Sequence, residues 1–503
     1  SPSGLCGVGH CRLAILVLSE AGNQPMLSPG TGYMVVYNGE CYNHIHLRRR
    51  MQRAFRSSSD TETVLHWLGD RWAGGLAELR GMFALALWDE PRQRLLLARD
   101  PLGIKPLYYA RLPSGELLFA SELRAMLKTS LVSAIVDPQA VTHYLLYGFV
   151  GEPEAIVAGV RMLPPGGWLE WSAATQEARS GVFSSPWEGV STAAAGDAAE
   201  MRERFTEAVA SHLLSDVPVG AFLSGGVDSS AIASAMVASG TDTRTLTVTF
   251  PDAPAACEGL QAAAWAGAIG ASHTEVPVTA ADLLRDLGGA LAAQDQPTVD
   301  AVNTYVVSRA AREAGLKVVL SGLGGDELFG GYPVFRDVPR QMRVDAIPVV
   351  LRQAMAGAVE LVAPEFWRRP QKVVDILRNG SSLLTHYACR RRLFTPTQVR
   401  SLLRPEYPRG VVLPPEVPAG LAEADAISAL DMSFYMRSQL LRDSDCMSMA
   451  HSIELRVPFI DSDFARYAMS LGPVARQSKS LFMERCAELL PKDIRTRPKR
   501  GFT

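Results

Sequence analysis

Val219-Gly220-Ala221-Phe222-Leu223, followed by Ser224-Gly225-Gly226-Val227-Asp228-Ser229-Ser230, is the stretch that decides the fold. A short apolar run reads as a strand, two glycines make a turn, and the run from Ser229 to about Ser239 reads as a helix. Glycines let the backbone turn tightly and approach an anion. The first turn of the helix adds free N–H groups and the positive end of its dipole. Ser224, Ser229 and Ser230 contribute hydroxyl donors. Asp228 does not face phosphate comfortably on its own, so the loop calls for a magnesium ion between them. The loop is not of the G-x-x-x-x-G-K-[ST] type, because both that spacing and its lysine are missing.

Outward from this loop, a helix is expected from about Ala198 to Leu214 and a strand over Thr245 to Phe250. A further helix, about Thr304 to Ala314, leads into the strand Lys317 to Leu320. Strands alternating with helices imply parallel pairing and a doubly wound sheet. A second glycine loop follows Leu320, reading Ser321-Gly322-Leu323-Gly324-Gly325-Asp326-Glu327-Leu328-Phe329-Gly330-Gly331-Tyr332. Loops at strand C-termini meet at one edge of such a sheet, so Asp228 and Asp326 can share magnesium. Asp326 and Glu327 also fit a plain helix N-terminal pair stabilised by the dipole. From about Val338 onward the chain reads mostly helical.

Upstream the pattern changes. Met34 to Tyr37, Met82 to Trp88, Leu95 to Arg99 and Leu117 to Ala120 are short apolar or alternating runs, several separated by Gly, Pro or Asp. A helical pattern lies between them at about Asp60 to Trp72. Two stacked sheets with flanking helices fit this order. The Ser-, Ala- and Gly-rich stretch from about Ser180 reads as a linker. The expected division is therefore 1–180, a linker over 181–196, and 197–503.

The 503 residues are enough for roughly two to four domains. With 47% hydrophobic and 20% charged residues and a net charge of −2, the chain has the composition of a soluble globular protein. It lacks the basic footprint of a nucleic-acid binder. The seven cysteines are widely spaced and form no C-x-x-C pair, which speaks against zinc and for a reducing, cytoplasmic location. No apolar run of membrane-spanning length and no signal peptide are evident.

The loop Ser224–Ser230 matches the S-G-G-x-D-S-S pattern of the ATP-pyrophosphatase superfamily, and ordered segments along nearly the whole chain resemble glutamine-hydrolysing asparagine synthetases. They include Gly9-His10-Cys11-Arg12-Leu13, Gln24-Pro25-Met26, Tyr37-Asn38-Gly39-Glu40-Cys41-Tyr42-Asn43 and Arg99-Asp100-Pro101-Leu102-Gly103-Ile104-Lys105-Pro106. Phe119-Ala120-Ser121-Glu122, Leu441-Arg442-Asp443-Ser444-Asp445 and Glu454-Leu455-Arg456-Val457-Pro458-Phe459-Ile460-Asp461 continue the series. The resemblance implies an α/β protein. An N-terminal-nucleophile glutaminase of α-β-β-α architecture, incomplete at its start, would precede a doubly wound ATP-pyrophosphatase domain with a helical C-terminal part. It implies a carbon–nitrogen ligase that makes asparagine from aspartate, ATP and glutamine-derived ammonia through β-aspartyl-AMP. Implied cofactors are ATP and Mg, and a homodimer stays open.

Carried over residue by residue, the resemblance assigns Arg12, Asn38, Gly39, Glu40 and Asp60 to the glutamine pocket. Arg12 would sit on a strand and clamp the glutamine carboxylate, and the Asn38-Gly39-Glu40 turn would supply oxyanion donors. A strand salt bridge, a hairpin turn and a helix N-cap are the plain alternatives for Arg12, Asn38-Gly39 and Asp60. Phe222, Ser224, Gly225, Gly226, Asp228, Ser229, Ser230, Val248, Ser321 and Gly322 would bind ATP, with Phe222 and Val248 walling the adenine. Asp228 and Asp326 would hold the metal. Lys479 would balance charge as pyrophosphate leaves, unless it is a solvated lysine at a helix start. Glu258 resembles an acidic residue beyond the nucleotide strand.

Three departures stand out. The family's nucleophile is a cysteine at the N-terminus, whereas this chain begins Ser1-Pro2-Ser3, and Cys6 lies too close to Arg12 to replace it. Both ends look clipped, so the chain as given is expected to use ammonia rather than glutamine. Leu323 occupies a position that is acidic in many asparagine synthetases, where it suits taking a proton from ammonia. Either Glu327 takes that proton, or the acceptor is another carboxylate: a uronic acid, a peptide, or a β-lactam-type ring closure. A non-catalytic scaffold is the remaining alternative.

Overall fold

The computed structural model describes residues 1–494 apart from 29, 186, 188–196, 254–256, 363–366, 406 and 409–411. Most of the expected linker, and the segment after 494, therefore lie outside the described residues.

The first half contains β1 (Met26–Ser28), β2 (Tyr33–Cys41), β3 (Gly81–Asp89), β4 (Arg94–Arg99), β5 (Tyr108–Arg111), β6 (Leu117–Ala120), β7 (Arg161–Met162), β8 (Gly167–Ser172) and β9 (Ala178–Val182). They form a six-stranded antiparallel sheet ordered β1-β2-β3-β4-β8-β9 and a three-stranded sheet ordered β6-β5-β7. Side chains alternate across a strand. Val35, Tyr37, Phe83, Leu85 and Leu87 enter one core with Val64, Leu65 and Leu68 of the helix Asp60–Arg71. Their neighbours Met34, Val36, Ala84, Ala86 and Trp88 enter a second core against Tyr109, Leu117 and Phe119 of the smaller sheet. Tyr108 and Ala110 turn outward onto the helix Leu123–Lys128. The layers are thus helix, sheet, sheet, helix. Both faces of β2 and β3 are covered, so these strands read as continuous apolar runs.

Asn38 and Gly39 are not a turn. They lie inside β2, with Asn38 opposite Ala84 and Gly39 opposite Phe83. Gly39 has φ +147°, and a Cβ there would meet the Met82 carbonyl oxygen at 1.9 Å. The neighbouring strand cannot yield without breaking its ladder. Gly39→Ala is therefore expected to destabilise the first half by about 3 kcal/mol or more. Chemical denaturation of the purified variant checks this, and a midpoint matching the parent would refute it.

The second half contains β10 (Val219–Phe222), β11 (Arg244–Thr249), β12 (Ser272–Pro277), β13 (Val318–Leu320) and β14 (Glu454–Arg456). All four pairings are parallel, in the order β12-β11-β10-β13-β14. The chain builds outward from β10 to β12, then returns to the other side of β10 with β13. The switch point therefore lies between β10 and β13, where the crevice beyond the strand ends takes ligands. Helices then predominate up to the C-terminal segment. One of them, Glu423–Leu430, continues as a π-helix over Asp431–Leu441 and returns to α-helix at Arg442–Met449. Among the described residues no helix is long and apolar enough to cross a membrane.

The halves meet through buried charge. Arg456 on β14 reaches Glu40 on β2 at 3.3 Å and Glu454 at 2.8 Å, and donates to the carbonyls of His212 and Leu214. Lys105 bonds Asp445 at 2.8 Å, and Arg80 bonds Asp461 at 3.0 Å.

Candidate active sites

The first glycine loop leaves β10 and enters the helix Val227–Ala238, for which Gly226 is the N-cap. Gly225 has φ +73°, the left-handed conformation glycine adopts without strain. The Ser224 and Ser229 hydroxyls lie 3.1 Å apart, and Ser229 Oγ donates to the Gly226 carbonyl at 3.3 Å. Ser230 is fully buried, and its hydroxyl has no hydrogen-bond partner among the described residues. Phe222 and Val248, at adjacent strand ends, pack into one apolar cluster with Phe250.

The second glycine loop leaves β13 at the switch point and closes against the first. A Cβ on Gly322 would lie 2.7 Å from Asp228 Cβ, and one on Gly325 2.6 Å from Asp228 Oδ1. Ser321 joins this edge, its N–H donating to the Arg456 carbonyl. Lys479 ties the loops together. Its Nζ bonds Asp228 Oδ2 and reaches Asp326 Oδ1 at 2.5 Å. Lys479 is not a solvated lysine: it is 6% exposed, has φ +62° and precedes the helix Ser480–Arg485. Burial works against its charge, but Asp228 and Asp326 outweigh that and hold the ammonium above the usual lysine range. Glu258 sits at the start of the helix Gly259–Ile269. Leu323 leans on the apolar core that contains Phe459 and Ile460.

Glu327 follows Asp326 but turns inward, 1% exposed, with its Oε1 lacking a hydrogen-bond partner among the described residues. Burial first, then Asp326 and Asp431, pushes its carboxyl up to about 7. A raised carboxyl favours the protonated form in the folded state. Its stabilising contribution is present below the ordinary value of 4.5 and is lost as pH rises through about 7. Glu327→Gln cannot ionise. It is therefore expected to gain stability over the parent between about pH 5 and 8, by roughly 1–3 kcal/mol. Denaturation curves across that range test this, and a pH-independent difference would sink it.

A cavity lies apart from the glycine loops, lined mostly by the first half and closed by Met449 and Glu454 of the second. Arg12, Asn38, Gly39, Glu40 and Asp60 line it together with His10, Lys105 and Glu454. Arg12 lies on an irregular segment rather than a strand, and makes no salt bridge among the described residues. Its guanidinium donates instead to the carbonyls of Leu16, Val17 and Ser19. Asn38 donates to Ser121 at 3.3 Å. Gln24 grips both backbone polar groups of Tyr37, fixing the strand just before Asn38. Asp60 is not the N-cap, a role Ser59 fills. Asp60 is the first helical residue and accepts from the Cys41 N–H at 3.0 Å. Burial pushes its carboxyl up to about 6. Cys6 is half-buried, and burial pushes its thiol up to about 11, so it is not an activated nucleophile.

Several residues at these sites escaped sequence reasoning. Lys105 and Glu454 lay inside quoted motifs but carried no local signal for the cavity. Tyr332, Arg391, Asp431 and Tyr435 gather beside Glu327 from three separate segments, which no spacing rule connects.

Comparisons with known proteins match each half of the chain. The asparagine synthase family model matches residues 200–503, and a glutamine amidotransferase domain model matches residues 3–181. A putative glutamine-hydrolyzing asparagine synthetase of Mycobacterium bovis is 33% identical over 99% of this chain and 79% of its own length. The glutamine-hydrolyzing asparagine synthetase 1 of Bacillus subtilis is 30% identical with the same coverage. A Penicillium rubens protein named amidase chyE is 32% identical over 66% of this chain and 52% of its own. With a glutamine amidotransferase domain ahead of a synthase domain whose two glycine loops meet at the switch point, the chain belongs to the asparagine synthase family of glutamine-dependent amidotransferase ligases.

Proposed function

We propose that this chain activates the side-chain carboxylate of aspartate as an acyl-adenylate and amidates it to asparagine. The observation that carries the reading is the junction of Asp228, Asp326 and Lys479 at the switch point, where both glycine loops converge. ATP would lie with its phosphates on Ser224–Ser230 and its adenine against Phe222 and Val248, with Ser321 and Gly322 across from them. The orphaned Ser230 hydroxyl and the N–H groups of the helix start are donors awaiting acceptors.

Asp228 and Asp326 already share one cation, the Lys479 ammonium, so both carboxylates lie within reach of a single ion. Among the described residues no third Asp, Glu, His or Cys joins them as a ligand group. Magnesium fits such a pair, because it takes one or two carboxylates and leaves its other positions to phosphates and water. Bound there, it would neutralise charge on the β- and γ-phosphates. Lys479 stabilises the negative charge that grows on pyrophosphate as the carboxylate attacks the α-phosphorus. Ammonia then attacks the acyl carbon: a C–N bond forms, the C–O bond to AMP breaks, and a proton must leave the nitrogen. Glu327, with its carboxyl near 7, is suited to take it. The cavity lined by Arg12, Asn38, Gly39, Glu40 and Asp60 would hold glutamine, the source of that ammonia.

Leu323 favours a second reading, a related ligase amidating a different carboxylate, since leucine supplies no base. The test is pyrophosphate release and product formation with aspartate, a uronic acid and acidic peptides, using ammonium and glutamine as nitrogen donors. Asparagine from aspartate supports the first reading, while turnover of another acid alone supports the second. Leu323→Glu sharpens the comparison. If aspartate is the acceptor and Glu327 is not already the base, asparagine formation should rise toward the ~10²–10⁴-fold that a positioned base contributes. With another native acceptor, the new carboxylate should slow its turnover. Efficient asparagine formation by the parent and a slower variant would make Leu323 a packing residue.

A further inference from the structure

The helix Val349–Val362 has two unlike faces. Arg352, Ala356 and Val359 recur at i, i+4 and i+7 and turn inward. Ala356 and Val359 pack with Val374 and Leu377 of the helix Arg368–Asn379 and with Val344. Both charged side chains of the helix are tied down: Arg352 bonds Asp345 at 3.1 Å, and Glu360 pairs with Arg378. The outer face is apolar. Val349, Val350, Leu351, Met355, Leu361 and Val362 stand in solvent, from 46% exposed at Met355 to 88% at Leu361. Ala354 and Ala358 lie exposed between them, and Gln353 is the one exposed polar residue of the helix.

Monomers rarely leave more than a few hundred Å² of contiguous apolar surface bare. The six large residues expose roughly 700 Å², close to the ~800 Å² that each partner buries in a standard interface. The order of the residues identifies the occupant. Read outward from Ala356, the helix repeats itself in reverse. Ala354 and Ala358, Leu351 and Leu361, and Val350 and Val362 are identical pairs, each equidistant from Ala356. At about 100° per residue, the two members of each pair fall at mirror positions about the outward direction. Two copies packed antiparallel across a two-fold axis at Ala356 therefore lay Leu351 against Leu361 of the second copy, and Val350 against Val362. Ala354 and Ala358 fall in the middle, where small side chains let two helices approach closely. A two-fold interface must be complementary to itself, and this stripe is. A lipid surface or an unrelated protein gains nothing from the reversal.

We propose that this face is a docking surface for a second copy of the chain, with the two Val349–Val362 helices packed antiparallel across a two-fold axis. None of its residues belongs to the candidate sites, so the inference stands apart from the proposed reaction.

Analytical ultracentrifugation of the full chain, from sub-micromolar to tens of micromolar, should show a reversible monomer–dimer equilibrium. Leu361→Glu places a carboxylate on the seam while sparing the fold, because that side chain is exposed in the single chain. The dimer's Kd should rise at least about 100-fold, since each interface would bury two unpaired charges. Leu351→Lys should do the same. The double variant Leu351→Lys/Leu361→Glu sets opposite charges face to face twice in the antiparallel register. Within one helix the two positions are ~15 Å apart, so they cannot pair there. It should recover at least about 10-fold of the lost affinity. Circular dichroism checks that each variant is folded. A monomer at every concentration would overturn the proposal. So would a dimer indifferent to Leu361→Glu, or a double variant that binds no tighter than Leu361→Glu. Co-sedimentation of a monomeric chain with phosphatidylglycerol vesicles, lost in Leu361→Glu, would give the face to a lipid surface instead.

Discussion

Asp228→Asn is expected to lower carboxylate-dependent pyrophosphate release by about 10²–10³-fold or more. Asp228 stands in the first turn of the helix behind the first glycine loop, where under the proposed reading a lone carboxylate would repel the phosphates, so its charge is useful only with a cation between. Asparagine keeps the size and one oxygen but removes the charge. Its amide oxygen can still accept from Lys479, so the tie between the loops is weakened rather than lost and the melting temperature should fall only modestly. The magnesium concentration needed for half-maximal rate should rise, because one of two carboxylate ligands is lost. Pyrophosphate release measured against magnesium checks both points. Parent-like rates at limiting magnesium would remove Asp228 from the metal site.

Lys479→Met should be equally damaging to turnover, by about 10²–10³-fold, but with the opposite effect on magnesium. The ammonium now occupies the place between Asp228 and Asp326 where a divalent ion would act. Removing it leaves two carboxylates facing each other, which raises the pKa of one of them and increases their demand for a cation. Magnesium should therefore bind at least as tightly as in the parent, while the charge that develops on pyrophosphate goes unanswered. Methionine retains most of the buried alkyl stem, so packing is largely preserved. Calorimetric magnesium titration beside kcat separates the two effects. An unchanged kcat would reduce Lys479 to a structural tie between the loops. A fall in magnesium affinity together with kcat would mean that Lys479 orders the site rather than stabilising the leaving group.

The strongest sequence signals were those in which a short stretch carries its own physics. A strand, two glycines and a helix start set a tight turn within a few residues, and β-α alternation implies a parallel sheet wherever it occurs. Asp228 and Asp326 could be brought together on paper because both follow strands that end at one edge. The boundaries of β2, β3 and β10 came within a few residues of the apolar runs for the same local reason. Other features were set by distant neighbours. Asn38-Gly39 reads as a turn by composition, yet β3 on one side and Gln24 on the other hold it in an extended strand. Arg12 was expected on a strand, but its guanidinium satisfies the carbonyls of a loop. Neither β12, Ser272 to Pro277, nor β14 was evident, since the first is largely polar and exposed and the second is three residues long. Whether Lys479 is solvated or buried depends on a contact across 251 positions with Asp228. Arg391 and Asp431 lie 40 residues apart without any motif, joined only because the helix Leu383–Arg391 packs beside the π-helix. Local sequence determined the glycine turns between strand and helix and the alternation of strands and helices, because backbone sterics and hydrogen bonding act over a few residues. Tertiary structure alone decided which charges share a buried space, because burial and Coulomb energy depend on distance in space rather than along the chain.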